Sequence, residues 1–238
     1  MKTMALAAVG AASMLPIGAA QAEITVTTTD PGAFTNIDDI AEGRIRLDGG
    51  NSQTWKLATW TPDNNSRPSV TNGNGARDLF QNGEVNPFTM TYNAITGELT
   101  VTTAGQSITD TILLAPNMGV AGIKYFITSD RGDAFTTLTD MQIVVDGQAP
   151  VSLDGLTSTM SGGFIEAPLV YFSQAATTIE ITGNLMFGWS DTATRNDRQG
   201  DRSRLTVKIN AGELPPIPSP GVAGLFGLAA LSASRRRR

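Results

Sequence analysis

The sequence predicts an all-β domain, an antiparallel β-sandwich of jelly-roll type, on three observations. Short runs of alternating apolar and polar residues recur, Thr fills many of the polar positions, and Gly, Asn and Asp cluster between the runs. Alternation of this kind buries one face of a strand and leaves the other to solvent, which a two-layer sandwich satisfies.

From the amino end of the domain, residues 36–44 read as one short helix, after which no segment keeps apolar residues at helical spacing for three turns. Strands are expected at 44–47 and 55–60, with Asp48-Gly49-Gly50 between them as a turn and Asn72-Gly73-Asn74-Gly75 as a later loop. The clearest hairpin follows. Phe88, Met90 and Tyr92 alternate with Thr89 and Thr91, and Leu99-Thr100-Val101-Thr102 resumes the pattern after Asn93-Ala94-Ile95-Thr96-Gly97. Asn93 and Gly97 suit the turn, while Tyr92, Leu99 and Val101 suit the core. Further strands are expected at 108–114, 123–128, 141–145, 169–172, 178–182, 185–189 and 205–209. Asp146-Gly147 and Thr182-Gly183-Asn184 are the turns expected within that series, and no internal repeat of fixed period is present.

Both ends read as addresses. Lys2, an apolar run from Met4 to Ala20 and the small residues Ala20 and Ala22 around Gln21 make residues 1–22 a secretory signal, cut after Ala22. At the other end, prolines at 215, 216, 218 and 220 end any strand or helix, because proline lacks an N–H and fixes φ. Residues 23–213 are therefore the folded domain and residues 214–220 an extended linker. Residues 221–238 hold an uncharged, mostly apolar stretch closed by Arg235, Arg236, Arg237 and Arg238. As a helix that stretch reaches about 20 Å against a hydrocarbon core of about 30 Å, a short span that snorkelling arginines would extend.

The succession of proline motif, short apolar helix and terminal arginines resembles the PEP-CTERM sorting signal of exosortase substrates. The family's usual Pro-Glu-Pro reads Pro218-Ser219-Pro220 here. The resemblance implies an exosortase-like processing enzyme as partner and transient membrane insertion as an inner-membrane intermediate. It further implies removal of the tail and delivery to the surface or extracellular matrix of a Gram-negative cell, often one that makes exopolysaccharide. The stretch Tyr92-Asn93-Ala94-Ile95-Thr96-Gly97-Glu98-Leu99-Thr100 also resembles a recurrent hairpin of choice-of-anchor β domains.

The chain has no Cys and no His, which excludes cysteine nucleophiles, disulfides, Cys/His zinc sites and a histidine general base. Taking away Lys2 and the four terminal arginines removes five positive charges from a formal −5 and leaves −10 on the remainder. So acidic a body repels nucleic acid and anionic lipid, and no nucleic-acid partner is expected.

Acid/base chemistry would have to come from the 22 carboxylates, as a pair acting on a glycosidic bond. Asp30 precedes Pro31, Asp63 precedes Asn64, and Asp48, Asp146 and Asp154 each precede Gly, which are turn positions where the side chain caps backbone. Glu166 and Glu180 lie near strand-like runs, but Glu180 sits between Ile179 and Ile181 and points away from the face they bury. Asp191, Asn196, Asp197 and Asp201 offer oxygen ligands for calcium within one loop, where Arg195, Arg198, Arg202 and Arg204 compete for the same carboxylates. Trp55, Trp60 and Trp189 are candidates for stacking on sugar rings or, on the simpler reading, for the core. Arg131-Gly132-Asp133 spells an adhesion triplet inside a turn-forming run, and Asn64-Asn65-Ser66 a glycosylation sequon. No phosphate loop, dinucleotide fingerprint or G-x-S-x-G elbow is present. The expectation is an exported, non-enzymatic protein without cofactor or metal, structural or adhesive in role. A carbohydrate-binding module or carbohydrate-active enzyme working on exopolysaccharide is the alternative.

Overall fold

The structure, a computed structural model, describes residues 23–49, 53–61, 69–71, 79–129, 134–157, 163–189 and 203–215. They form two antiparallel sheets packed as a sandwich, with no helix among the described residues. The first sheet has the order β1 (Val26–Thr27), β13 (Val170–Ala176), β8 (Met118–Ser129), β15 (Ser203–Glu213), β2 (Thr35–Gly49), β3 (Gln53–Trp60) and β4 (Ser69–Thr71). β12 (Gly163–Glu166) pairs with β8 beside that path. The second sheet runs β10 (Val151–Ser152), β9 (Ala134–Val145), β14 (Thr178–Trp189), β5 (Val85–Asn93), β6 (Glu98–Thr103) and β7 (Gln106–Thr111), with β11 (Leu156–Thr157) also on β9.

The core forms where the two inner faces meet. Ile123, Tyr125 and Ile127 of β8 and Leu205, Val207 and Ile209 of β15 face inward from the first sheet. Phe88, Met90 and Tyr92 of β5, Leu99 and Val101 of β6, and Ile179 and Ile181 of β14 face inward from the second. Removing each such side chain from water contributes on the order of 2 kcal/mol, and with no disulfide in the chain this burial carries the fold.

The β5–β6 hairpin has the predicted form. Phe88, Met90 and Tyr92 are buried, and the side chains between them are half exposed. Asn93 Oδ1 accepts from Ile95 N at 2.9 Å, Gly97 N donates to Asn93 O at 2.8 Å, and Gly97 holds φ 71°, a conformation that costs glycine nothing. The Thr face is also as expected. Thr100 and Thr109 share a hydroxyl hydrogen bond of 2.8 Å across β6 and β7, and Thr102 and Ser107 one of 2.9 Å. The capping role assigned to turn aspartates is visible at Asp146, whose Oδ1 accepts from Thr177 N at 2.8 Å and Thr178 N at 2.6 Å.

Three readings are corrected. Residues 36–44 are strand, the first half of β2, not helix. Ile209 pairs with Ala41 and Asn210 with Asp39, so Ile40 is an extra residue, and this bulge puts apolar residues at a spacing that imitates a helix. Residues 182–184 are not a turn but the middle of β14, where Gly183 faces a bulge of one extra residue in β9. A Cβ on Gly183 would lie 2.6 Å from Met141 Sδ and 2.9 Å from Phe88, so glycine stands there for close packing. The strand expected over 108–114 ends at Thr111. Residues 112–115 instead belong to no strand.

Candidate functional site

The bulge in β2 shapes the site. An open groove of about 960 Å³ lies along the first half of β2, with Trp60 and Thr61 on one side, Phe126 and Lys208 on another, and Ile112, Leu113 and Ala115 at the rim. In the cross-strand register Glu42 stands opposite both Trp60 of β3 and Lys208 of β15, which places the three in one row on the outer face of the first sheet.

Four of the five charged side chains that line the groove are paired with one another. Arg44 bonds Glu42, and its guanidinium carbon lies 3.9 Å from the centroid of the half-exposed Trp60 ring, a cation–π contact. Lys208 bonds Asp39, whose other oxygen accepts from Asn210 Nδ2 at 2.7 Å. Burial pulls the Arg44 pKa below its ordinary value, Glu42 opposes that, and the neighbouring Arg204 and Arg46 add to the lowering. Asp38 is exposed in the groove lining and makes no ion pair with another described residue.

A wider segregation of charge surrounds the groove. Every Lys and Arg among the described residues lies in β2, β3, β8 or β15 of the first sheet, and the second sheet carries none. On the same outer face Lys124 bonds Glu166, and Phe126 packs against the exposed Phe164 with ring centroids 4.7 Å apart. The second sheet instead presents its Thr hydroxyls with Glu98 and Glu180.

The groove's carboxylates differ in their surroundings. General acid catalysis needs a carboxyl group kept protonated beside an ionised partner. Glu42 and Asp39 are each bound by a cation, and Asp38 stands in solvent. Among the described residues there is no group of three acidic side chains placed to hold a metal ion.

Of the residues singled out from the sequence, Trp60 reaches the groove, and Glu166 and Glu180 are exposed on opposite sheets, far from forming a pair. Glu180 stands opposite Thr91, with Ile179 and Ile181 buried on the other face, as its parity predicts. The side chains of Trp55 and Trp189 lie outside the described residues, as do Asn64, Asn65, Ser66, the Arg131-Gly132-Asp133 triplet and the loop holding Asp191, Asn196, Asp197 and Asp201. The terminal addresses Ala20, Ala22, Pro218, Ser219, Pro220 and Arg235 to Arg238 lie there too. Sequence reasoning missed Asp38, Asp39, Glu42 and Arg44, because it placed them on a helix. The available signal was Glu42-x-Arg44-x-Arg46, an alternation of charge with Gly43 and Ile45 that belongs to a strand.

In comparison with known proteins, the chain matches no family model and no curated sequence.

Proposed function

We propose that this is an exported protein of the cell surface or extracellular matrix, structural or adhesive in role and not an enzyme, sorted by its C-terminal PEP-CTERM-like signal. The observation that supports the non-catalytic part is the pairing of two of the groove's three carboxylates, Asp39 with Lys208 and Glu42 with Arg44. Export and sorting rest on the two terminal signals, with Ala22 as the cleavage residue and Pro218, Ser219, Pro220 and the four terminal arginines as the sorting motif. An exosortase-like enzyme is the expected processing partner and membrane insertion a transient step. The strand succession supports the jelly-roll form of the sandwich: β2-β15-β8-β13 in one sheet lies over β5-β14-β9-β10 in the other, as two interleaved Greek keys require.

The second reading is a carbohydrate-binding module or carbohydrate-active enzyme, and Trp60 favours it. A half-exposed indole on the wall of an open groove is a surface on which a sugar ring stacks. Incubating the purified protein with exopolysaccharide from its host, and assaying new reducing ends and unsaturated sugars, separates the enzyme from the structural reading, and retention of the protein on that polysaccharide, lost in Trp60→Ala, separates a binding module from it. The expected result is no product, with Glu166→Gln and Asp38→Asn indistinguishable from the parent. Turnover that a single carboxylate-to-amide change abolishes would replace the structural reading by the enzyme.

A further inference from the structure

We propose that the outer face of the first sheet holds an acidic polysaccharide, bound along a row of cations that runs beside the groove. The cross-strand register defines the row. Lys56 of β3 stands opposite Arg46 of β2, Arg46 opposite Arg204 of β15, Arg204 opposite Thr128 of β8, and Thr128 opposite Phe164 of β12. Cations therefore follow one another on three neighbouring strands, and no position in the row is acidic. Arg46 and Arg204 are like charges directly opposite one another, which repel, and an anionic chain laid along the row turns that repulsion into attraction.

The ion pairs of this face lie elsewhere on it. Glu42, Asp39 and Glu166 bind Arg44, Lys208 and Lys124, which stand in the two rows beyond. A guanidinium presents five N–H donors in a planar fork, so Arg46 and Arg204 can each hold a ligand carboxylate beside the contacts they make within the fold. The body as a whole is acidic, but among the described residues every Lys and Arg lies in this sheet, while the second sheet presents Glu98 and Glu180 and no cation. A polyanion is thereby steered to this face and away from the other.

The aromatic end of the row makes the ligand a glycan. Phe164 is 54% exposed and is braced by Phe126, whose ring centroid lies 5.4 Å from the Arg204 guanidinium carbon. At about 4.8 Å between strands, the row from Arg46 to Phe164 spans about 14 Å. A uronate-bearing chain lying across the strands meets two guanidiniums with its carboxylates and stacks a ring on Phe164. The inference rests on the carbohydrate-binding reading for the sugar and on the row alone for the charge.

The test is retention of the full chain on immobilised polygalacturonate and on neutral dextran, with Arg235 to Arg238 changed to Gln throughout so that the tail offers no cation. The expected result is binding to polygalacturonate that weakens as salt is raised, and little to dextran. Arg46→Gln and Arg204→Gln should each weaken it roughly tenfold and Phe164→Ala roughly fivefold, with unchanged circular dichroism. Polygalacturonate binding that survives both arginine changes overturns the inference. So does equal binding to polyglutamate or single-stranded DNA, because the face would then select charge and not sugar. Equal binding to dextran, lost in Trp60→Ala, overturns it too but leaves the carbohydrate-binding reading standing. Absence of binding to polygalacturonate also overturns it, whereas that broader reading falls only if the protein is not retained on the host polysaccharide.

Discussion

Tyr92→Asp is expected to abolish folding, while Thr91→Asp, one residue away, leaves the domain intact. Tyr92 is 1% exposed within the core of β5, and its hydroxyl donates to the Ile112 carbonyl at 2.8 Å. A carboxylate there loses the ring's packing against both sheets and puts an unpaired charge in the interior, which together cost more than about 4 kcal/mol, comparable to the whole stability of a marginal domain. Thr91 faces outward opposite Glu180 on β14, so Asp at that position adds one like-charge cross-strand pair and costs at most about 1 kcal/mol. Thermal melts followed by circular dichroism check both. Equal damage from the two substitutions would mean that the parity of β5, and with it the assignment of the core face, is wrong.

The second large effect is alkaline unfolding. Tyr92 and Tyr125 both have buried rings and both donate to backbone carbonyls, Tyr125 to Asp154 O at 2.7 Å. Burial pushes each hydroxyl from 10.0 up to about 12, and the nearby Asp154 adds to the rise at Tyr125. Below pH 10 both hydroxyls are neutral in the folded and unfolded chains, and the folded state keeps its full stability. As pH rises from 10 toward 12 the unfolded chain ionises first, so stability falls by on the order of 2 kcal/mol per tyrosine and is lost through the folded value. Denaturant titrations across that range should show the decline. In Tyr92→Phe and Tyr125→Phe the alkaline limb should flatten, each with a loss of about 1 kcal/mol near neutrality from the missing hydrogen bond. An alkaline limb equally steep in both variants would contradict the assignment to these two groups.

How legible each part of the fold was depended on how each strand is buried. β5 and β6 were plain because one face meets the core and the other is a Thr surface, so the sequence alternates without a break. β8 is harder to read, because nearly all of it is buried on both faces: Phe126 and Thr128 of its outer face are covered as well, and alternation vanishes into a continuous run. β2 was misread at its bulge, since one extra residue changes the apolar period from two to three and no local signal separates that from a helical turn. Gly183 misled in the same way, a packing glycine inside a strand having the appearance of a turn glycine.

The groove was illegible for a different reason. One of its ion pairs joins Asp39 to Lys208 and its aromatic wall comes from β3, so it exists only once β2 lies between β3 and β15. Trp60 was identifiable as a candidate from its residue type alone, whereas Asp38 and Asp39 looked like two ordinary acidic residues near the start of the domain. The terminal segments proposed as signals, by contrast, are linear in the sequence and are read without the fold.

The central claim is that this sandwich is carried to the cell exterior by two removable ends, and intact-mass measurement on protein recovered from the surface and medium fractions of the producing cell tests it most directly. The account predicts a chain that begins at Glu23 and lacks Arg235, Arg236, Arg237 and Arg238. A chain that keeps Arg238 and stays in the inner membrane would contradict it and leave an ordinary tail-anchored protein.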